Sequence, residues 1–174
     1  MKKVFITGRP GVGKSTVLKE VITILKNNGF KIGGITCPEI RKNGKRIGFE
    51  IIDIASNNKG ILASIDFFKG PMVGKYYVNL EDLEKIAIPA IKKSIEELDL
   101  TVIDEIGPME LKSKKFYELI MDILKSNKSI IAIIHKSLVK NFSIEFPNIR
   151  FFEVNEINRI HIAKEIANYF MGRN

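Results

Sequence analysis

The stretch Gly8-Arg9-Pro10-Gly11-Val12-Gly13-Lys14-Ser15 constrains the fold of this 174-residue chain more than any other part of it. It matches the pattern G-x-x-x-x-G-K-[ST] at every fixed position. A short, apolar and partly β-branched run over residues 2–7 precedes it, and apolar residues recur at helical spacing over 17–25. Because the pattern forms a phosphate-binding loop when it joins a strand to a helix, the sequence predicts a nucleotide site.

Each fixed position of this loop, the Walker A motif, has a chemical task. The glycines let successive backbone N–H groups turn towards phosphate oxygens, and the N-terminus of the next helix adds partial positive charge. Lys14 brings a positive charge to the β- and γ-phosphates, and the Ser15 hydroxyl is placed to bind Mg²⁺. The expected nucleotide contacts are Gly8, Arg9, Pro10, Gly11, Val12, Gly13, Lys14, Ser15 and Thr16. The alternative, a glycine-rich turn with a solvated lysine, lacks a reason for the strand and helix on either side.

Length and composition favour a single domain over residues 1–174. No apolar run approaches the roughly 18 residues that cross a bilayer, and the N-terminus enters a strand without a secretory leader. Cys37 is the one cysteine in the sequence, so it has no partner for an internal disulfide, and we assign it no chemistry. We therefore expect a cytoplasmic protein without a membrane partner.

The formal net charge of +8 raises the question of nucleic acid binding. Lys and Arg are mixed with Asp and Glu on most predicted helices, as in residues 92–97, and no basic run is interleaved with aromatic residues. A solvated, net-positive surface accounts for this pattern better than a nucleic acid interface does. We expect a monomer whose partner is a nucleoside triphosphate.

Strand and helix patterns alternate along the chain, which predicts an α/β fold of three layers with a mainly parallel central sheet. The dipeptide Asn43-Gly44 between two β-like runs predicts an inserted β-hairpin. Strands are predicted over 30–36, 47–54, 61–67, 76–78, 100–103, 129–134 and 149–154, and helices over 80–98, 113–126 and 158–171. Pro89 should kink or break the first of these helices.

A second motif, of the Walker B type, follows the apolar run 100–103. Such a run is typical of a buried parallel strand, and Asp104 comes at its carboxyl end, where open α/β sheets bind ligands. We expect the Asp104 carboxylate to hold Mg²⁺ through its water shell. Glu105 follows directly and is placed to hold a water in line with the γ-phosphate and to accept its proton. Its alternative role is that of a surface carboxylate that ends the strand.

Residues 104–111, Asp-Glu-Ile-Gly-Pro-Met-Glu-Leu, together with residues 8–16 resemble the thermophilic-type nucleoside-triphosphatase family, which includes the cancer-related nucleoside-triphosphatase. The resemblance extends to residues 44–49 and to Asn158-Arg159, and it covers essentially the whole chain in order. Its specific part is the D-E-I-G-x-M-E element, because many families share the phosphate loop.

The resemblance implies a P-loop NTPase fold and slow, Mg²⁺-dependent hydrolysis of ATP, GTP and other nucleoside triphosphates to the diphosphate and phosphate. By position, it makes Lys14 and Glu105 the catalytic residues, with Glu105 as the base. Ser15 and Asp104 correspond to the residues that serve the metal. Within the specific element, Glu110 either acts in the reaction or anchors the loop.

Four further residues are candidates for the site. His135 follows an apolar strand, where it could sense the γ-phosphate or bond to a neighbouring loop. Arg9, Arg46 and Arg159 could stabilise charge on the transferred phosphoryl group, and Arg159 could instead help to enclose the base.

Two other nucleotide-dependent functions fit parts of the sequence. A small-molecule or nucleotide kinase could use the basic hairpin turn 41–46 as a lid, but a water-activating Glu105 is unwanted where hydrolysis must be suppressed. A regulatory GTPase would explain D-x-x-G over 104–107, but Asn127-Lys128 is not followed by the acid that reads guanine. We therefore expect a hydrolase, with the kinase as the alternative.

Overall fold

The computed structural model describes residues 1–173, and strands and helices alternate along most of them. The strands are β1 (Lys3–Gly8), β2 (Ile32–Thr36), β3 (Glu39–Lys42), β4 (Lys45–Asp53), β5 (Lys59–Ser64), β6 (Met72–Val73), β7 (Tyr76–Val78), β8 (Leu100–Ile106), β9 (Ile130–Ile134) and β10 (Arg150–Val154). The helices are α1 (Lys14–Asn27), α2 (Leu80–Asp82), α3 (Ile88–Glu97), α4 (Lys114–Lys125), α5 (Val139–Glu145) and α6 (Ile162–Met171).

All ten strands belong to one sheet. Five of them are parallel and lie side by side in the order β10-β1-β9-β8-β2. Beyond β2 the sheet continues antiparallel through β4, β5, β7 and β6, and β3 pairs with the outer part of β4. The parallel strands place the carboxyl ends of β1, β8 and β9 at one edge, which is where both predicted motifs lie.

Helices cover both faces of the parallel strands and create two hydrophobic cores. On one face α1 and α6 bury Val17, Leu18 and Ile166, whereas α3, α4 and α5 bury residues such as Ile91 and Phe116 on the other. Because both faces are covered, β1 and β9 are buried along their whole length. The three-layer α/β fold is therefore confirmed. In the part of the chain that the structure describes, no helix is long and apolar enough to cross a membrane.

The predicted hairpin is formed by β3 and β4. Asn43 and Gly44 have φ values of 50° and 74°, the pair of positive angles that a two-residue type I′ turn requires. The hairpin also holds Arg46, whose Nε donates to the Tyr76 hydroxyl at 2.9 Å and whose Nη1 lies 2.9 Å from Glu39 Oε1. The structure thus places Arg46 in contacts that join the hairpin to β7.

The predicted helix over 80–98 runs without a break from Leu80 to Glu97, but a π-helical turn interrupts its α-helical hydrogen bonding just before Pro89. α2 is followed by a π-helical turn, Leu83–Ala87, and α3 begins at Ile88 with Pro89 in its first turn. Pro89 has no backbone N–H to donate to the preceding turn, so the regular α-helical ladder is interrupted at this point.

Several elements differ from the sequence prediction. The strand predicted to reach Phe67 ends at Ser64, whose hydroxyl accepts a bond from the Asp66 N–H at 3.1 Å and starts a turn. The last helix begins at Ile162 rather than Asn158, because the side chain of Asn158 is used in a turn. The short helix α5 was not predicted, since it buries Phe142 alone and has little helical periodicity.

Candidate functional site

The phosphate loop occupies residues 9–13, between β1 and α1. Gly8, Gly11 and Gly13 have φ values of +147°, +75° and +108°, which residues with a side chain rarely adopt. A Cβ atom on Gly8 would also lie 2.5 Å from the carbonyl oxygen of Val154. The spacing of the glycines is therefore set by the backbone conformation of the loop.

The N-terminus of α1 opens onto this loop. The first intrahelical bond of α1 runs from the Val17 N–H to the Gly13 carbonyl at 2.9 Å, so the amides of Lys14, Ser15 and Thr16 have no intrahelical acceptor. Within residues 14–17 there is no acidic side chain, and no side chain caps the helix. Free amides and the positive end of the helix dipole favour an anion at this point.

Lys14 points back across the loop. Its Nζ lies 3.1 Å from the Gly8 carbonyl oxygen and 3.0 Å from that of Arg9. The ammonium group thus bridges the two ends of the loop, and its charge stands beside the free amides of α1. This arrangement supplies a cation and backbone donors to the same small volume.

Asp104 lies on β8, which is two strands away from β1 in the sheet, and Asp104 is only 6% exposed. Burial and the neighbouring Glu105 charge raise the pKa of Asp104 to about 7, while the backbone N–H of Cys37 and the charges of Lys14 and Lys19 oppose this shift. The structure corrects the prediction that β8 ends before Asp104, because the strand continues to Ile106. The two motifs meet here, since a lysine of the phosphate loop acts on a carboxylate of β8.

Glu105 stands next to Asp104 where the pairing of β8 with β9 changes register. This irregularity lets consecutive carboxylates escape the strict alternation of a regular strand. Burial raises the pKa of Glu105, and the nearby positive charge of Lys14 opposes this shift. Glu105 is thus a partly desolvated carboxylate beside the phosphate loop, as a proton acceptor for a bound water would have to be.

His135 follows β9 and is anchored by its own loop. Its Nδ1 accepts from the Ser137 N–H at 3.3 Å and lies 2.8 Å from the Ser137 hydroxyl. Its backbone N–H donates to the Ile106 carbonyl at 3.0 Å. The side-chain bonds of His135 are thus local ones to Ser137 rather than to a neighbouring loop, and its role at the site stays a prediction.

The donors available to a metal are the Ser15 hydroxyl and the Asp104 carboxylate. Across residues 1–173 there is no group of three or more His, Cys, Asp or Glu side chains arranged to hold a metal ion. Mg²⁺ prefers oxygen ligands and is commonly held by one or two protein groups together with substrate phosphates and water. A hydroxyl and a carboxylate are oxygen donors of the kind that this cation takes.

Glu110 lies close to Glu105, in the 3₁₀ turn Glu110–Lys112, and is only 4% exposed. A Cβ atom on Gly107 would lie 2.8 Å from Glu105 Oε1 and 3.2 Å from Glu110 Oε2. Both carboxyl groups therefore lie over the same glycine. Gly107 was not among the site residues predicted from the sequence. The glycine of the D-E-I-G-x-M-E element is the sequence feature that could have indicated it.

Replacement of Gly107 by Ala should displace the Glu105 carboxylate and leave the fold intact. The new methyl group meets the end of a flexible side chain, which can move aside, rather than the backbone. Because misplacement of a reacting group by about 1 Å can cost a factor of 10², we expect kcat to fall by between about 10-fold and 10²-fold. Steady-state phosphate release and thermal unfolding of the variant check this; an unchanged kcat would show that Glu105 does not need its present position.

Glu110 should make the stability of the protein depend on pH. Burial, with a smaller contribution from the Glu105 charge, raises the pKa of Glu110 from its ordinary 4.5 to about 8. Between these values the native state binds more protons than the unfolded state, so the free energy of unfolding falls as pH rises, by up to about 1.4 kcal/mol per pH unit. Glu110→Gln should remove this contribution. The free energy of unfolding of the variant should therefore fall less between pH 5 and pH 8 than that of the parent does. Urea unfolding at both pH values, with exposed Glu97→Gln as control, measures the difference; parallel pH profiles would contradict it.

The arginines predicted for the site have different surroundings. Arg9 forms an exposed ion pair with Glu156, with Nη2 3.0 Å from Oε1. Arg46 lies in the hairpin contacts described above, and Arg159 is exposed after β10. The fold thus places the loop after β10 beside the phosphate loop, and the Arg9–Glu156 ion pair joins the two.

A protein-family model described as NTPase matches residues 3–167 of the chain. A nucleoside-triphosphatase THEP1 from Methanosarcina barkeri is 46% identical over 175 residues, with 98% of each chain covered. The chain belongs to this NTPase family. The nucleoside-triphosphatase THEP1 of Thermotoga maritima, 44% identical over 94% of this chain and 92% of its own, is a further relative.

Solved structures of NTPase relatives share the fold. The crystal structure of THEP1 from Aquifex aeolicus matches with a TM-score of 0.81 and 34% identity, over 94% of this chain and 96% of that one. The solution structure of a human cancer-related nucleoside triphosphatase matches over the full length of both chains, with a TM-score of 0.82 and 29% identity. The resemblance drawn from the two motifs is therefore confirmed, and so is the P-loop NTPase fold.

Proposed function

We propose that the protein hydrolyses nucleoside triphosphates to the diphosphate and phosphate in a Mg²⁺-dependent reaction. The observation that carries the proposal is that the loop after β1, with Lys14, and the carboxyl end of β8, with Asp104 and Glu105, lie at the same edge of the parallel sheet. There the Lys14 charge acts on both carboxylates and opposes the burial that raises their pKa values. A phosphate-binding cation, a candidate metal ligand and a candidate base thus surround one position. Relatives that match this chain over nearly their whole length are named nucleoside-triphosphatase, which supports the same reaction.

The phosphate loop and α1 bind the triphosphate. Backbone N–H groups of residues 11–16 donate to the phosphate oxygens, and Lys14 exchanges its contacts with the Gly8 and Arg9 carbonyls for the β- and γ-phosphates. Ser15 and Asp104 would hold Mg²⁺, directly and through water. When bound, the cation neutralises negative charge on the phosphate oxygens.

Glu105 prepares the attacking water. Its carboxylate accepts a proton from a water placed in line with the γ-phosphorus, and the water oxygen forms the new P–O bond as the bond to the β-phosphate oxygen breaks. The diphosphate leaves with the bonding electrons, and the proton ends on Glu105 before it is lost to solvent. Lys14 stabilises the charge that develops on the γ-phosphoryl oxygens.

Slow turnover fits the arginine contacts. An arginine that reaches the transferred phosphoryl group accelerates related reactions by a factor of 10³–10⁵. Arg9 is bound to Glu156, and Arg46 is bound to Glu39 and Tyr76. Two of the three arginine candidates are thus engaged elsewhere.

The kinase alternative is not favoured. A lid would need the cations of the hairpin to be free for phosphates, but Arg41 and Arg46 both form ion pairs with Glu39. We further propose that residues 1–174 act as one domain in a cytoplasmic monomer.

Phosphate release from ATP, GTP, CTP and UTP tests the proposal. With Mg²⁺ we expect slow release from all four, and with excess chelator we expect none. Addition of nucleoside, monophosphate or sugar acceptors should leave the yield of phosphate unchanged. Failure to release phosphate from any of the four, or consumption of ATP only with an acceptor, would contradict hydrolysis.

A further inference from the structure

The loop over residues 155–161 lies directly beside the phosphate loop. It follows β10, which pairs with β1 so that Val154 is aligned with Gly8 at the start of the phosphate loop. The ion pair between Arg9 and Glu156 then joins the two loops. The loop over 155–161 is therefore adjacent to the place where residues 9–16 would bind a triphosphate.

The amide side chains of this loop are used to hold its own shape. Asn155 Oδ1 accepts from the backbone N–H groups of Ile157 and Asn158, both at 2.9 Å. Asn158 Oδ1 accepts from the Asn155 N–H at 2.9 Å, and Asn158 Nδ2 donates to the Glu153 carbonyl at 2.8 Å. Three of the hydrogen-bonding groups that could read the edge of a base are therefore occupied within the loop.

Among the residues that the loop presents to solvent are two large apolar side chains. Ile157 is 83% exposed and Ile160 is 74% exposed. One exposed isoleucine is ordinary, but two of them within four residues, on a loop with fixed shape beside a ligand site, form a small apolar surface. Arg159 lies between them in sequence and is exposed as well, and its planar guanidinium can stack on a flat ring.

We propose that Ile157 and Ile160 form the surface against which the base of the bound nucleotide packs, with Arg159 beside it. The proposal rests on the nucleoside-triphosphatase function proposed above and names a further part of its site. Contacts to the face of a base do not distinguish purines from pyrimidines, because every base has an apolar face. The fold would thus give affinity for the base without selecting one, which accounts for the expected broad base tolerance.

The test compares substrates with and without a base. Ile157→Ser, Ile160→Ser and the double variant are assayed with ATP, GTP, CTP and UTP, and with inorganic tripolyphosphate as the probe that has no base. Ile144, which is 72% exposed on α5, provides the matched control Ile144→Ser. The four variants change only three positions, all of them exposed, so thermal unfolding should change little.

In the double variant we expect KM to rise about tenfold for all four nucleotides, with kcat within about twofold of the parent. KM for tripolyphosphate and all constants of Ile144→Ser should stay unchanged. An unaltered KM for the nucleotides, an equal rise for tripolyphosphate, or a rise for one base alone would each overturn the proposal.

Nucleotide binding separates this proposal from the proposed reaction. Calorimetry with ADP and with inorganic pyrophosphate needs no turnover, and the double variant should bind ADP about tenfold more weakly and pyrophosphate as the parent does. This result would support the apolar surface even if the parent released no phosphate. Absence of phosphate release would refute the proposed hydrolysis and leave the proposed base surface standing. Equal ADP affinity of parent and double variant would refute the surface.

Discussion

Replacement of Glu105 by Gln should lower kcat for nucleoside triphosphate hydrolysis by about 10²–10⁴-fold and leave nucleotide affinity nearly unchanged. The amide keeps the size of the carboxylate but cannot accept the proton of the attacking water. The phosphate loop, which provides the binding contacts, is not touched by the change. Initial rates of phosphate release and the Kd of a nucleotide, measured on the same preparation, give the two quantities.

Glu97→Gln is the matched control for this variant. Glu97 is an exposed residue at the end of α3 and is remote from both motifs in the sequence. Glu97→Gln removes the same charge from the protein as Glu105→Gln does, so a general electrostatic effect would lower kcat in both variants. Undiminished hydrolysis by Glu105→Gln would contradict the assignment of Glu105 as the base.

Replacement of Lys14 by Met should reduce both binding and hydrolysis. The variant loses the charge that faces the β- and γ-phosphates and the bridge between the Gly8 and Arg9 carbonyls. Loss of one donor to a developing oxyanion costs a factor of about 10²–10³, and we expect kcat/KM to fall by at least this much. In contrast to Glu105→Gln, the affinity for the nucleotide should fall together with kcat.

Lys26→Met provides the comparison for Lys14. Lys26 is exposed in the last turn of the same helix, so its removal lowers the net charge equally and leaves the loop unchanged. Its kcat/KM should stay within about twofold of the parent, because an exposed charge this far along α1 is screened by salt. Equal losses for the two variants would mean that Lys14 acts through net charge alone.

The parts of the site that the sequence predicted are those fixed by local pattern. The glycines around Lys14 specify a backbone conformation, and the apolar run before Asp104 specifies a buried strand that ends near a ligand edge. Each of these depends on neighbours within a few residues. The hairpin at Asn43-Gly44 was predictable for the same reason, because two positive φ angles define its turn.

The parts that the sequence did not predict depend on contacts between distant segments. The side chain of Arg46 is held by Tyr76, 30 positions away, and the loop with Ile157 lies beside residue 9 only because β10 pairs with β1. The crowding of Glu105 and Glu110 over Gly107 depends on how the chain turns after β8. Side-chain packing of this kind leaves no periodic signal in the sequence.

Hydrolysis in water enriched in ¹⁸O tests the central claim most directly, because it follows the attacking atom. We expect phosphate released from ATP with Mg²⁺ to carry one ¹⁸O atom from the solvent in a single turnover and ADP to carry none. Glu105→Gln should release labelled phosphate at a rate lower by about 10²–10⁴-fold. Label in the diphosphate, or unlabelled phosphate after complete turnover, would contradict water attack on the γ-phosphorus at this site.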